Sequence, residues 1–291
     1  MKVLLTGGHG QLGRELQATC PPSVQLLVTD HANLDITQDN QLKAWLDKHQ
    51  PQAIINAAAY TAVDKAESDA DTAYAINHLA VETLARQANK RSLYLIHIST
   101  DFVFDGQQTT PYLPMDHCNP LGVYGESKLA GEQVVREYCQ NAAIIRTAWL
   151  YSSYGNNFVK TMLRLMRERP TLGVVVDQVG TPTWTRTLAM TIWYFLQARP
   201  QGIFHCADNG VTSWYDFAVA IQEEALPLGL LNKAIPIKPL LSAEYPTAAR
   251  RPAYSVLDKR ATEQVLGDAL PHWRVSLRQM LKQLKQESTS A

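Results

Sequence analysis

The sequence predicts a doubly wound α/β fold, a parallel sheet covered by helices on both faces, followed by a smaller second domain. Three observations carry this reading. Short β-branched or Leu-rich runs recur at Val3–Thr6, Leu26–Thr29, Ala53–Asn56, Leu93–Ile98 and Ala143–Arg146, with room for a helix between successive runs. They are continuously apolar rather than alternating, as strands buried on both faces must be. After about Trp149 the pattern loosens, and eight prolines from Pro170 to Pro252 punctuate it.

Between the strand candidates, Gln11–Cys20, Gln38–His49, Ala70–Asn89 and Val123–Cys139 read as helices, several with Ala, Leu and Glu on a 3.6-residue period. Two more are expected at Thr185–Gln197 and Trp214–Ala225. Thr212 or Ser213 would cap the latter, because a short hydroxyl can accept from the first free helix N–H groups. Residues 1–150 are therefore expected to form the first domain, with later segments able to return to it, and 151–291 mainly the second. No repeat or low-complexity segment interrupts the chain, and the tail Gln286–Ala291 is expected to fray.

Composition excludes several classes of function. The 291 residues carry 27 Lys+Arg against 27 Asp+Glu, and a nucleic-acid partner would call for a surplus of cations. No apolar run approaches the ~18 residues of a membrane span. The start, MKVLLTGG, is too short in apolar residues for a signal peptide. Cys20, Cys118, Cys139 and Cys206 lie far apart with no C-x-x-C pair, so reduced thiols in the cytoplasm are expected rather than a disulfide framework or a zinc site.

Gly7-Gly8-His9-Gly10-Gln11-Leu12-Gly13 follows a strand candidate and opens a helix. Glycine there lets the backbone turn tightly and approach a pyrophosphate, whose charge the free N–H groups and dipole of the helix start stabilise. In this context the pattern points to a Rossmann-type dinucleotide site rather than to an idle turn. Asp30, 17 residues beyond Gly13, stands near the offset of the acid that binds the adenosine ribose. An Asp favours NAD, although Arg14 and His31 are close enough in sequence to offer a 2′-phosphate a counter-charge. Asp35-Ile36 would flank the adenine or lie in a surface loop. Asn56-Ala57-Ala58-Ala59 ends the third strand candidate, where small side chains either admit the cofactor or pack tightly.

Tyr124 and Lys128 are four apart, on one face of a helix. A nearby ammonium would lower the Tyr pKa toward the operating pH of a general acid. Ser99-Thr100-Asp101 ends another strand candidate, and the carboxyl ends of parallel strands are where such folds gather their ligands. Thr100 would therefore face Tyr124 and orient a carbonyl; Ser99 competes for that role.

With these residues in place, the sequence resembles the extended short-chain dehydrogenase/reductase superfamily, and within it the dTDP-4-dehydrorhamnose reductase family. The resemblance rests on MKVLLTGGHGQLG, IINAAAYTAVDKAE, STDFVFDG, YGESKLAGE, IIRTAWLY, GNNFVKTMLRL, DQVGTPT and ARRPAYSVLD, in one order from residue 1 to about 258. It implies reduction of the 4-keto group of a dTDP-activated 6-deoxyhexose by NADH or NADPH, with Tyr124 giving the proton, Lys128 holding the nicotinamide ribose and Thr100 orienting the carbonyl. It extends the cofactor set to Gly7, Gly10, Gln11, Leu12, Gly13, Asp30, Asp35, Ile36, Ala58, Ala59 and Tyr60. On the sugar-nucleotide side it implies Val63, Asp101 and Trp149, with Arg250 and Arg251 on the diphosphate; by residue type alone those arginines would be a solvated basic pair. Asn156-Asn157 and the helix from Phe158 would also face the ligand.

Some members of that family bind magnesium at a homodimer interface through glutamates, and Glu15 matches one such position. Arg186 stands where those members have a second glutamate. A cation there repels a hard dication, so no magnesium site is expected, and a homodimer is neither required nor excluded. Two other readings remain: a non-catalytic regulatory subunit of the enzyme that makes S-adenosylmethionine, and a reductase or epimerase of a related nucleotide sugar. An intact Thr100/Tyr124/Lys128 set has no chemical purpose in the first.

Overall fold

The computed structural model describes residues 1–290. Six parallel strands form the central sheet: β1 (Lys2–Thr6), β2 (Gln25–Val28), β3 (Ala53–Asn56), β4 (Tyr94–Thr100), β5 (Ala142–Thr147) and a sixth strand, Gly202–His205. Their order across the sheet is Gly202–His205, β5, β4, β3, β1, β2. Each of the five expected runs is a strand, shifted by no more than a residue or two at its ends. The chain leaves β1 toward β2 on one side and reaches β3 on the other, so connections diverge between β1 and β3. That divergence opens a crevice at the carboxyl ends of these strands.

Both faces of the sheet are covered. One face packs Val3, Leu5, Ile55 and Ile96 against the helix α1 (Gln11–Ala18) and the helix Thr185–Ala198. The other packs Leu4, Ile54, Leu95 and Ile144 against Leu42, Leu84 and Val135 of three further helices. Two segments from beyond residue 150, the helix Thr185–Ala198 and the sixth strand, thus return to the first body; the sixth strand has no signal in the apolar pattern. A separate core packs Tyr151 of the short strand Leu150–Tyr151 against Val159, Leu163, Phe217, Ile221, Leu277 and Leu281 from the helices Phe158–Glu168, Trp214–Ala225 and Trp273–Ser290. Ser213 caps the second of these, its Oγ accepting from Asp216 N at 3.0 Å. The tail expected to fray is helical through Ser290, and Ala291 lies outside the described residues. Among the described residues no helix is long and apolar enough to cross a membrane.

The expected helix Ala70–Asn89 is three segments in series, Ala70–Tyr74, a π turn Ala75–Leu79, and Ala80–Lys90. The wider turn carries the fully buried Asn77, whose Nδ2 donates to Tyr60 O at 3.1 Å and Ser127 Oγ at 3.0 Å. Such turns are a local expense that recurs at functional sites.

The helix Val123–Tyr138 lies against β4 and β5 through a buried ion pair. Arg146 on β5 donates from Nη2 to Glu132 Oε2 at 2.6 Å and from Nε to Glu132 Oε1 at 2.8 Å. Glu132 also accepts from Ser99 Oγ at 2.5 Å, and Arg146 Nη1 donates to Pro114 O at 3.0 Å. Both charges are about 2% exposed, so each depends on the other for solvation. Removing one partner of such a pair costs ~3–5 kcal/mol, because the survivor is left charged and buried. We expect Arg146→Ala to lose about that much in denaturant unfolding; a loss below ~1 kcal/mol, the worth of an exposed pair, would contradict the anchoring role.

Candidate active site

A cleft of about 710 Å³ opens at the carboxyl ends of β1, β3 and β4. Gly7, Gly10, Gln11, Leu12, Gly13, Asp30, Asp35, Ile36, Ala58, Ala59, Val63, Thr100, Asp101, Tyr124, Lys128 and Trp149 all line it, as do Asn156 and Asn157. One continuous wall therefore joins the glycine loop to the Tyr124 helix.

The glycine loop is built for close approach. Gly7 has φ +71°, and a Cβ on it would meet Ala57 C at 2.6 Å; one on Gly13 would meet Gly7 O at 2.3 Å. Larger residues would drive the loop off the strand ends. Gln17 pins it further, donating to Gly8 O at 2.7 Å and Gly13 O at 3.0 Å. Gly10 is the N-cap of α1 and no side chain caps that end, so the first N–H groups are left for a ligand. This cradle, with an acid at the end of β2, fits the pyrophosphate and ribose of a dinucleotide.

At the other end, Thr100 Oγ1 donates to Asp101 Oδ1 at 3.1 Å and shares a hydrogen bond with the Tyr124 hydroxyl. Burial pushes the Tyr124 phenol up to about 12, aided by the Asp101 charge and opposed by the Thr100 hydrogen bond. The lowering expected from Lys128 does not arise. The Lys128 ammonium points away to the backbone, donating to Ile98 O at 2.7 Å. Burial in turn lowers Lys128 itself to about 8 and raises Asp101 to about 6. Tyr124 is thus held as a neutral phenol, the form that can give a proton. Ser99 is not available to orient a carbonyl, because its hydroxyl is spent on Glu132.

Three expected residues lie off the cleft wall. Tyr60 turns its hydroxyl to Asp69 Oδ2 at 3.0 Å, and Asn77 Oδ1 accepts from its backbone N at 2.9 Å. Arg250 is exposed. Arg251 is held by Asp64, Nη1 to Oδ1 at 3.1 Å and Nη2 to Oδ2 at 2.9 Å, which lowers the Asp64 pKa. Asp64 adjoins Val63, so the pair holds Arg251 at the rim. Glu67, also unassigned by the sequence, accepts from Val123 N at 3.0 Å and so caps the Tyr124 helix. An acid at that end also suits the helix dipole.

Trp149 is a non-glycine residue at φ +48°, and its indole stacks on Trp214 at 3.5 Å and 7°. One face is thus presented by a rigid aromatic pair. Strained backbone of this kind persists only where its surroundings impose it. Gln11 and Asn157 tie the two bodies together, Asn157 Nδ2 donating to Gln11 Oε1 at 3.0 Å.

The family model of the RmlD substrate binding domain matches residues 1–286. The dTDP-4-dehydrorhamnose reductase of Escherichia coli K12 is 41% identical over 98% of each chain. The chain belongs to the dTDP-4-dehydrorhamnose reductase family. A crystal structure of a dTDP-4-dehydrorhamnose reductase from Clostridium acetobutylicum superposes with a TM-score of 0.93 at 41% identity, over 98% of this chain and 100% of that one. The Bacillus anthracis enzyme, solved in complex with NADP, gives 0.92 at 36% identity over 97% and 99%.

Glu15 lies in α1, off the cleft wall. It is fully buried, and Arg186 Nε lies 2.6 Å from its Oε1. Thr185 Oγ1 approaches Oε2 at 3.4 Å. The carboxylate is neutralised within the chain by the arginine that the sequence places opposite it.

The Lys128 shift has a measurable sign. With its folded value near 8, the ammonium predominates below that pH and is lost above it. If it holds the dinucleotide, NADH affinity weakens as pH rises through about 8, and Lys128→Met removes the dependence. A fluorescence titration flat across that value in the parent protein would contradict this.

Proposed function

We propose that the chain reduces the C4 keto group of dTDP-4-dehydro-L-rhamnose with NADH or NADPH, giving dTDP-L-rhamnose for polysaccharide biosynthesis. The observation that carries this reading is the convergence of a neutral Tyr124, Thr100 and Lys128 in the cleft that the glycine loop begins. A dinucleotide bound there supplies the hydride. Tyr124 gives its proton to the developing alkoxide, and a pKa raised by burial keeps it in the donating form at any working pH. Thr100, already oriented by Asp101 and Tyr124, positions the carbonyl oxygen. Lys128 supplies a positive charge beside the nicotinamide ribose, fixed by its bond to Ile98 O.

On the sugar-nucleotide side, Val63 and Trp149 supply apolar wall, and Arg251 and Arg250 supply cations for the diphosphate at the rim, Arg251 exchanging Asp64 for phosphate. A nucleotide-sugar substrate and unpaired thiols suit the cytoplasm.

The test is turnover. Purified protein given dTDP-4-dehydrorhamnose should consume NADH or NADPH, and Tyr124→Phe should reduce the rate by about 10²–10⁴-fold while cofactor affinity stays within about twofold. Turnover by the Phe variant near the parent rate would remove Tyr124 as proton donor. No oxidation of either nicotinamide by the parent would favour the non-catalytic regulatory subunit.

A further inference from the structure

We infer that His9 sets the balance between NADH and NADPH by masking Asp30, an inference that rests on the dinucleotide reading of the cleft. Asp30 at the end of β2 has its two carboxylate oxygens engaged differently. Oδ1 faces its own loop, accepting from Ala32 N at 2.9 Å and Asn33 N at 3.1 Å. Asn33 Oδ1 returns a bond by accepting from Asp30 N at 2.9 Å, so the carboxylate is fixed in direction. Oδ2 is therefore the oxygen left to face the cleft. His9, from the middle of the glycine loop, places Nδ1 2.8 Å from it. The other imidazole on this wall, His31, is turned to Asp35, 3.6 Å away, and so leaves Asp30 to His9.

A carboxylate at this position ordinarily selects NAD, accepting from the ribose hydroxyls and repelling a 2′-phosphate. His9 acts against both effects. Its N–H takes acceptor capacity of Oδ2 from a ribose hydroxyl, and its ring screens the carboxylate from a phosphate. The imidazole is 74% exposed whereas the Asp30 carboxylate is 17% exposed. The histidine is thus the partner able to move, and an exposed pair is inexpensive to open. NADH binds best with His9 swung away, NADPH with it in place, and the chain accepts both.

Dissociation constants for NADH and NADPH, measured without sugar nucleotide on the parent, His9→Ala, Asp30→Ala and the double variant, test this. Freeing Asp30 by His9→Ala should shift the ratio of affinities toward NADH by about fivefold, and Asp30→Ala should shift it toward NADPH. The gain in NADH affinity from His9→Ala should vanish in the Asp30→Ala background, since there is then nothing to unmask. A ratio unchanged within about twofold, or a gain that persists without Asp30, would overturn the inference. Failure of the reductase reading looks different: keto-sugar turnover would be absent while the affinities still shifted.

Discussion

One buried carboxylate, Glu132, holds the Tyr124 helix to the sheet. Tyr124, Lys128 and Glu132 follow at intervals of four, so they share one helix face. The last of the three is fixed by Arg146 on β5 and Ser99 on β4. With the middle of the helix fixed, Lys128 is directed onto Ile98 O and Tyr124 onto Thr100, both at the end of β4. The start of the helix is closed by Glu67. A helix held at only one of these points could tilt the phenol out of reach of a carbonyl at the strand end. Holding it at both fixes the phenol in place.

The glycine-loop half of the cleft depends on a different constraint, the closeness of β1 and β3 at their ends. Thr6 Oγ1 donates to Asn56 Oδ1 at 2.6 Å, and Asn56 Nδ2 meets His97 Nδ1 at 3.1 Å, so a buried polar row crosses β1, β3 and β4 below the glycine loop. Above that row Gly7 lies against Ala57 with no room for a side chain. The alanines after Asn56 therefore serve packing as well as access. Across the cleft the second body contributes Trp149 and Asn157, whose contacts with Trp214 and Gln11 fix the opposite wall.

Much of this was legible in the sequence because it is local or periodic. Continuous apolar runs gave five of the six strands of the central sheet, and the glycine spacing behind the first of them located a loop that lines the cleft. The sixth strand was illegible because Gly202–His205 is short, opens on a glycine and ends on a histidine. The Tyr124–Lys128 spacing placed both side chains on the cleft, yet misjudged their electrostatics: spacing puts the two side chains together but says nothing of burial, which raises the phenol and turns the ammonium to a carbonyl. Long-range pairs left the least trace. Asp64 and Arg251 are separated by well over a hundred residues and only the fold brings them together, whereas Glu15 and Arg186 were set side by side by the family resemblance alone. Glu67 as a helix cap could have been suspected only by looking for an acid in another segment, since Gly122 itself has no side chain to cap with.

The account stands or falls on where the hydride goes. NADH carrying deuterium at the transferable C4 position should deliver it to C4 of the sugar ring in the product nucleotide, with the new hydroxyl proton exchangeable with solvent. Deuterium found at C4 by NMR is the result the site geometry predicts. Recovery of the keto-sugar unchanged, with all deuterium still on the nicotinamide, would contradict it.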